Sequence, residues 1–134
     1  MADLSITAAN VATSLGSQIS NTAGVAITAG QLIYLDSTTS TMKLADANAV
    51  LTAAVTGIAV NSAAAGQPVT YQPNGLITIG ATVVVGTAYY LSATAGGICL
   101  ESDLVSGDYV TFLGIATTAA IISINIVRSA TAKA

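Results

Sequence analysis

One short phrase occurs twice in this chain. GQLIYLD at residues 30–36 is echoed by GTAYYLS at residues 86–92, an offset of 56 residues (86 − 30) in a sequence of 134. The same order of features recurs around both phrases, with these matches: Gly24 with Gly80, Gly30 with Gly86, Tyr34 with Tyr90, Leu35 with Leu91, Leu44 with Leu100, and GIA at 57–59 with GIA at 114–116 after one residue of slippage. Chance similarity in a chain rich in Ala, Gly and Thr is the alternative. The preserved order favours tandem duplication of one small unit.

The pattern inside each unit is typical of β-strands. VAITAGQLIYL and ATVVVGTAYYL group β-branched and aromatic residues into runs of about four to six, broken by glycine. Polar links at 37–42 and 92–98 predict two β-hairpins. The stretch 45–56 could form one or two helical turns capped by Asp46. We predict an all-β domain of about eight to eleven short strands, a compact barrel or sandwich built from the tandem repeat.

Residues 1–23 lie outside the repeated unit. They are polar and small, with Leu4, Ile6, Val11, Leu15 and Ile19 as the larger apolar side chains. The segment is either an extra edge strand or an extended arm that orders only against a partner. We favour the arm, because folding this segment alone would bury too little apolar area to offset the loss of chain entropy. The predicted organisation is an arm at 1–23, a β domain at 24–127 with pseudo-repeats 24–71 and 80–127, and a flexible tail at 128–134.

The composition predicts a surface that is covered by other molecules. Hydrophobic residues make up 53% of the chain and charged residues 7%, against roughly 25% charged in an average soluble domain. No charged side chain occurs between Asp46 and Glu101. Because surface charge keeps protein molecules apart, this chain is expected to be a homo-oligomer or part of a larger assembly.

Charge and hydropathy argue against two classes of partner. The net charge is −3, and the three basic residues, Lys43, Arg128 and Lys133, are too dispersed to form a phosphate-binding surface. Mean hydropathy is high at +0.76, but the most apolar window, residues 75–91, is rich in Gly and Thr and lacks the basic flanks of a membrane helix. The first residues lack the features of a secretory signal. We therefore expect no nucleic acid, no membrane, and synthesis in the cytoplasm.

The acidic residues form one candidate cation site. Glu101 and Asp103 are two residues apart, so both would point to one side of a strand, and Asp108 could follow across a turn. Calcium requires about six to eight oxygen ligands, and no EF-hand pattern is present. The preferred interpretation of these residues is a solvated loop without metal.

No set of residues predicts catalysis. The chain has no histidine, the residue most often used for acid–base chemistry. Cys99 lies among apolar neighbours without a basic residue nearby, which predicts a buried, inert thiol. Tyr34 and Tyr90 are expected to be amphipathic core residues. The sequence thus predicts neither an enzyme nor a cofactor.

Four segments together resemble a known family. They are AGQLIYLDSTTSTMKLADA, TGIAVNSAAAGQPVTYQPNG, VGTAYYLSATAGGI and LGIATTAAIISINI, spread over residues 24–127. In this order they resemble the head decoration, or capsid cement, proteins of tailed bacteriophages. The resemblance implies a non-enzymatic, often trimeric virion protein on the outer capsid surface, where neighbouring major capsid subunits meet. The YYLS and GGI phrases are also similar to β-rich phage tail, fibre and baseplate modules, which is the alternative.

The predicted capsid contact is the N-terminal arm. Leu4 and Ile6 alternate, so both would face one way in a strand added to a partner's sheet, and Val11 follows as a third apolar contact. We therefore expect Leu4, Ile6 and Val11 to dock onto the major capsid protein, while residues 24–127 form the oligomeric body.

Overall fold

The fold is all-β, as predicted. A computed structural model describes residues 3–133, with only the backbone given for Ala130; Met1, Ala2 and Ala134 lie outside it. Residues 3–133 contain no α-helix, and single 3-10 turns occur at Ala8–Asn10 and Glu101–Asp103. The described strands are β1 Val11–Leu15, β2 Ile19–Thr22, β3 Leu32–Asp36, β4 Thr41–Leu44, β5 Gly57–Ala59, β6 Pro68–Gln72, β7 Gly75–Ile79, β8 Ala88–Leu91, β9 Ile98–Cys99, β10 Tyr109–Ala116 and β11 Ile121–Ala132.

The strands form two antiparallel sheets with matching strand orders. The five-stranded sheet has the order β2-β6-β5-β3-β4, and the six-stranded sheet has the order β1-β7-β11-β10-β8-β9. If β7 to β11 take the places of β2 to β6, the two orders coincide and β1 is one additional edge strand. We call β2–β6 repeat 1 and β7–β11 repeat 2.

Strand registers agree with the duplication at the level of residue pairs. Tyr34 pairs with Lys43 in repeat 1, and Tyr90 pairs with Cys99 in repeat 2, both at the offset of the sequence echo. Likewise Leu32 pairs with Ile58, and Ala88 pairs with Ile115. Each repeat is therefore the same sheet with the same register.

The glycine before each echoed strand occupies the same turn. Gly30 and Gly86 have φ values of 93° and 81°, a region that favours glycine. The Gly30 N–H donates to the Ala59 carbonyl at 2.7 Å, and the Gly86 N–H donates to the Ala116 carbonyl at 2.8 Å. The structural repeat also includes β2 and β7, so it begins before the predicted boundaries at residues 24 and 80.

The two sheets pack as a sandwich around a main apolar core. Leu32 and Ile58 of the five-stranded sheet lie in this core with Leu91 and Ile122 of the six-stranded sheet, all fully buried. A second, smaller core lies against the other side of the five-stranded sheet, where it includes Ile33. The five-stranded sheet is therefore covered on both faces.

Strands extend further towards both termini than predicted. Residues 11–15 and 19–22 of the predicted arm are edge strands, since β1 pairs with β7 and β2 pairs with β6. The favoured arm interpretation is wrong for these residues, and the edge-strand alternative describes them. The predicted flexible tail is also wrong for its described part, because β11 continues to Ala132, which pairs with Tyr109.

The predicted helical turns at residues 45–56 are turns without helix. Asp46 organises them by accepting hydrogen bonds through Oδ1 from the Asn48 N–H at 3.0 Å and from the Thr52 hydroxyl at 2.8 Å. The short Asp side chain thus holds the backbone in a turn rather than starting a helix.

Candidate interaction surfaces

The acidic cluster is engaged in local contacts rather than arranged around a cation. Asp108 Oδ2 accepts the Val105 N–H at 2.9 Å, and Asp103 Oδ2 accepts the Leu100 N–H at 3.4 Å. Glu101 lies 3.6 Å from the Lys133 ammonium. Among residues 3–133, no three His, Cys, Asp or Glu side chains are grouped to hold a metal ion.

Cys99 is a buried thiol on β9, as expected. Its side chain is 2% exposed. Burial, helped by the negative charges of Asp3, Asp103 and Asp108, raises the pKa of the Cys99 thiol to about 12. The thiol is therefore protonated near neutral pH and is a poor nucleophile.

One short ion pair closes the first hairpin. Lys43 Nζ lies 2.7 Å from Asp36 Oδ2, and the Thr38 N–H donates to Asp36 Oδ1 at 2.9 Å. The hydrogen bond with Lys43 holds the pKa of Asp36 below its ordinary value and raises that of Lys43. The equivalent positions in repeat 2 are Ser92 and Cys99, so this pair stabilises one turn and is not a repeated feature of the fold.

The predicted docking residues pack against the chain's own core. Leu4 and Ile6 are half-buried against the main core, and Val11 is part of it at 9% exposure. The Leu4 N–H also donates to the Ile98 carbonyl at 2.8 Å. These side chains are therefore engaged within the molecule, which corrects the expectation that they form a free docking strand.

The N-terminal segment fills a gap that repeat 1 does not have. In repeat 1 the Gly24 N–H donates directly to the Met42 carbonyl at 2.8 Å. In repeat 2 the equivalent residues, Gly80 and Ile98, are bridged by the N-terminal segment: the Thr7 N–H donates to Gly80 and the Leu4 N–H donates to Ile98, both at 2.8 Å. Residues 4–7 thus lie between the two ends of the repeat 2 sheet.

Two glycines give this segment the room that it needs. A Cβ atom at Gly80 would lie 2.5 Å from the Thr7 carbonyl oxygen, and one at Gly97 would lie 2.6 Å from Asp3 Oδ2. The Asp3 carboxylate also accepts the Ser92 hydroxyl at 2.7 Å. The N-terminal segment therefore fits closely against repeat 2, through main-chain and side-chain contacts together.

The outer face of the six-stranded sheet, which points away from the main core, is a candidate interaction surface. Because directly paired residues of antiparallel strands share a face, the registers define two long rows of side chains on it. One row crosses five strands and the other crosses four. The first row is Ala88, Ile115, Ser123, Leu76 and Leu15, and the second is Cys99, Tyr90, Phe112 and Val127.

The outer face is apolar and exposed. Leu15 is 66% exposed, Val127 is 55% exposed and Ile115 is 44% exposed. The rings of Tyr90 and Phe112 meet edge to face at 5.6 Å and 71°. No side chain in either row carries a charge. An exposed sheet face of this kind is typical of an interaction surface.

In repeat 1 the equivalent face of the sheet is buried. Ile58 of repeat 1, the counterpart of Ile115, is fully buried in the main core. Tyr34, the counterpart of Tyr90, also packs against this core. The same surface of the duplicated sheet is thus interior in one repeat and exposed in the other.

A further apolar surface lies on loops of repeat 1. Leu51 is 74% exposed, Leu35 is 48% exposed and Val50 is 37% exposed. Leu35 and Leu51 line a shallow groove with Tyr34 and Ala54, which we call the Leu51 groove. Tyr34 and Leu35 lie on β3, whereas Leu51 and Ala54 lie within the segment at residues 45–56 that Asp46 organises.

Sequence reasoning missed both exposed surfaces. A signal for the outer face is present in IISINIV at residues 121–127, where apolar residues occupy both parities of one strand. Such a strand predicts a sheet with apolar residues on both of its faces.

Compared with known proteins, the chain matches no family model, no curated protein and no solved structure significantly. Within residues 3–133, no helix is long and apolar enough to cross a membrane.

Proposed function

We propose that this chain is a structural virion protein. In this proposal it binds the outside of a tailed-bacteriophage capsid between major capsid subunits and stabilises the expanded shell. The single observation that carries it is the extent of exposed apolar surface, on the outer face and in the Leu51 groove, which suits a protein that is covered in an assembly. The resemblance of residues 24–127 to capsid decoration proteins supplies the identity of the assembly.

The proposed mechanism is multivalent clamping of the shell. A homo-oligomer, such as the trimer implied by the resemblance, would engage several capsid subunits at once. Each contact can be weak, because the first contact raises the effective concentration of the others. Since the site exists only where expanded subunits meet, binding stabilises the expanded state by mass action.

The surface that we assign to the capsid contact is the Leu51 groove. It replaces Leu4, Ile6 and Val11, which are packed against the protein's own core. The groove combines exposed aliphatic side chains with loop backbone, and such loops on a rigid sheet commonly carry binding residues. Leu51, at 74% exposure, is its most exposed large side chain.

The test is co-sedimentation with expanded, undecorated shells. Wild-type protein is expected to pellet with the shells, and Leu51→Asp is expected to remain in the supernatant. Val105→Asp is the matched control, because Val105 is also apolar and exposed, at 63%, but does not line the groove. Failure of wild-type protein to bind shells, with labelling of the tail in virion images, would favour the alternative of a tail, fibre or baseplate module.

A further inference from the structure

We propose that repeat 2 contains a peptide-binding cleft, and that residues 3–7 of the same chain are its resident, exchangeable ligand. The cleft lies between the two ends of the repeat 2 sheet, and it is lined by Gly30, Gly80, Ser92, Gly97 and Ile98. Its ligand class is an extended peptide with an acidic residue next to apolar residues at alternate positions. This proposal does not depend on the capsid assignment.

The duplication provides an internal reference for the cleft. In repeat 1 the Met42 carbonyl accepts the Gly24 N–H at 2.8 Å, so the two ends of that sheet meet directly. In repeat 2 the counterpart carbonyl, that of Ile98, accepts the Leu4 N–H at 2.8 Å instead. The same backbone acceptor is thus satisfied within its own sheet in one repeat and by an inserted segment in the other. Backbone pairing of an added segment with a sheet is a common mode of peptide recognition.

A buried hydroxyl gives the cleft its preference for an acidic residue. Asp36 and Ser92 are counterparts, and each accepts a backbone N–H two residues further on, from Thr38 at 2.9 Å and from Thr94 at 3.0 Å. Ser92 is 2% exposed and donates its hydroxyl to Asp3 Oδ1 at 2.7 Å. The inserted segment therefore supplies the carboxylate that repeat 1 carries in its own hairpin. Such charge-assisted hydrogen bonds are stronger than neutral ones.

Glycines shape the cleft for a closely fitting main chain. A Cβ atom at Gly30 would lie 2.6 Å from Ile6 Cγ2, and Cβ atoms at Gly80 and Gly97 would come similarly close to the segment. These three residues come from different loops and meet only around residues 3–7. Glycine is the residue that permits such a close approach.

The segment can leave the cleft without disrupting the sandwich. The 3-10 turn Ala8–Asn10 joins it to β1 and buries no residue. Ser5 and Thr7 are exposed, and Leu4 and Ile6 are only half-buried. Segments with few buried apolar contacts open locally, at a lower cost than global unfolding. β1 stays paired with β7 when residues 3–7 are released.

The first test offers the natural segment to a chain whose own segment is weakened. Leu4→Asp/Ile6→Asp in the full chain weakens the resident ligand and leaves the cleft unchanged. A fluorescent peptide of residues 1–10 is expected to bind this double variant saturably, as measured by anisotropy. It is expected not to bind wild-type protein, whose tethered segment competes at a high effective concentration. Asp3→Asn in the peptide should weaken binding about fivefold, because the charge-assisted hydrogen bond becomes neutral.

Two further variants locate the binding. Leu51→Asp/Val105→Asp carries the same added charges at exposed positions outside the cleft and is expected to bind no peptide. Gly97→Val, added to the Leu4→Asp/Ile6→Asp variant, should abolish binding, because its side chain takes the place of the Asp3 carboxylate. No binding to the first double variant, or equal binding to the control, would overturn the proposal. Loss of β structure in the first double variant would also overturn it, since the segment would then be an integral part of the core.

Hydrogen exchange tests the wild-type protein without any substitution. The amides of Leu4 and Thr7 are expected to exchange at least about a hundredfold faster than that of Ile79, which donates to the Ala120 carbonyl at 3.0 Å. Low concentrations of urea should leave the two faster rates unchanged, because local opening exposes little surface. Equal protection of the three amides would refute an exchangeable ligand, since the segment would then open only when the whole protein unfolds.

Discussion

Ile58 and Ile115 offer a matched pair of perturbations. They are the same residue at the same position of the two repeats, yet Ile58 is 0% exposed and Ile115 is 44% exposed. We predict that Ile58→Ala destabilises the protein much more than Ile115→Ala. Residue type, repeat position and strand pairing are shared, so the difference reports burial.

The magnitudes follow from burial. Replacing a fully buried Ile by Ala costs about 2–5 kcal/mol, because lost transfer free energy is joined by a cavity. We expect about 3 kcal/mol for Ile58→Ala, whose neighbours in the main core cannot all relax. Ile115 is almost half exposed and leaves no enclosed cavity, so Ile115→Ala should cost about 1 kcal/mol.

Urea unfolding followed by circular dichroism measures both values. With a slope of about 2 kcal/mol per molar, the midpoint should fall by about 1.5 M for Ile58→Ala and about 0.5 M for Ile115→Ala. The titration is repeated at several protein concentrations, because a contact between copies would add a concentration-dependent part at Ile115. Equal midpoint shifts for the two variants in dilute solution would refute the assignment of opposite environments.

Three further outcomes are expected. Because burial raises the pKa of the Cys99 thiol to about 12 from an ordinary 9.0, the free energy of unfolding should fall as pH rises above 9.0, where the unfolded thiol loses its proton and the folded thiol keeps it. Cys99→Ala should make that decline shallower, and the raised pKa values of Lys43 and Tyr71 should account for what remains. Gly80→Ala should lower the melting temperature more than Gly86→Ala, since both have positive φ but only Gly80 contacts the N-terminal segment; equal losses would contradict the close fit. Deleting residues 1–20 should unfold the protein, because β1 and Val11 are lost, and a retained β spectrum would show otherwise.

The sequence was sufficient to predict the β structure of residues 24–127 and its duplication. Runs of β-branched residues punctuated by glycine are a local signal, and the offset between Tyr34 and Tyr90 reappears in the strand registers. Cys99 was equally predictable, because its apolar neighbours lie beside it in the chain. These features share one property: the residues that determine them are close in sequence.

The fate of the N-terminal segment could not be predicted in this way. Leu4 and Ile6 gain their burial from residues far along the chain, and Leu4 bonds to Ile98. An estimate of burial from the segment alone therefore favoured a loose arm. Likewise, strand alternation defines two faces but not which one is covered, so Ile58 and Ile115 look identical until the sheets are packed.

The position of β11 has a consequence for synthesis on the ribosome. β11 lies between β7 and β10, inside the six-stranded sheet, yet it is the last of the described strands to be made. All five strands of repeat 1 exist once residue 72 has emerged, whereas the second sheet remains in two unconnected parts, β1-β7 and β10-β8-β9, until residues 121–132 follow. We expect the smaller core to form first during translation, which protease digestion of stalled chains can measure. Until β11 is made, the edges of β7 and β10 that it will occupy have unpaired backbone groups. During that interval a neighbouring nascent chain could pair with them.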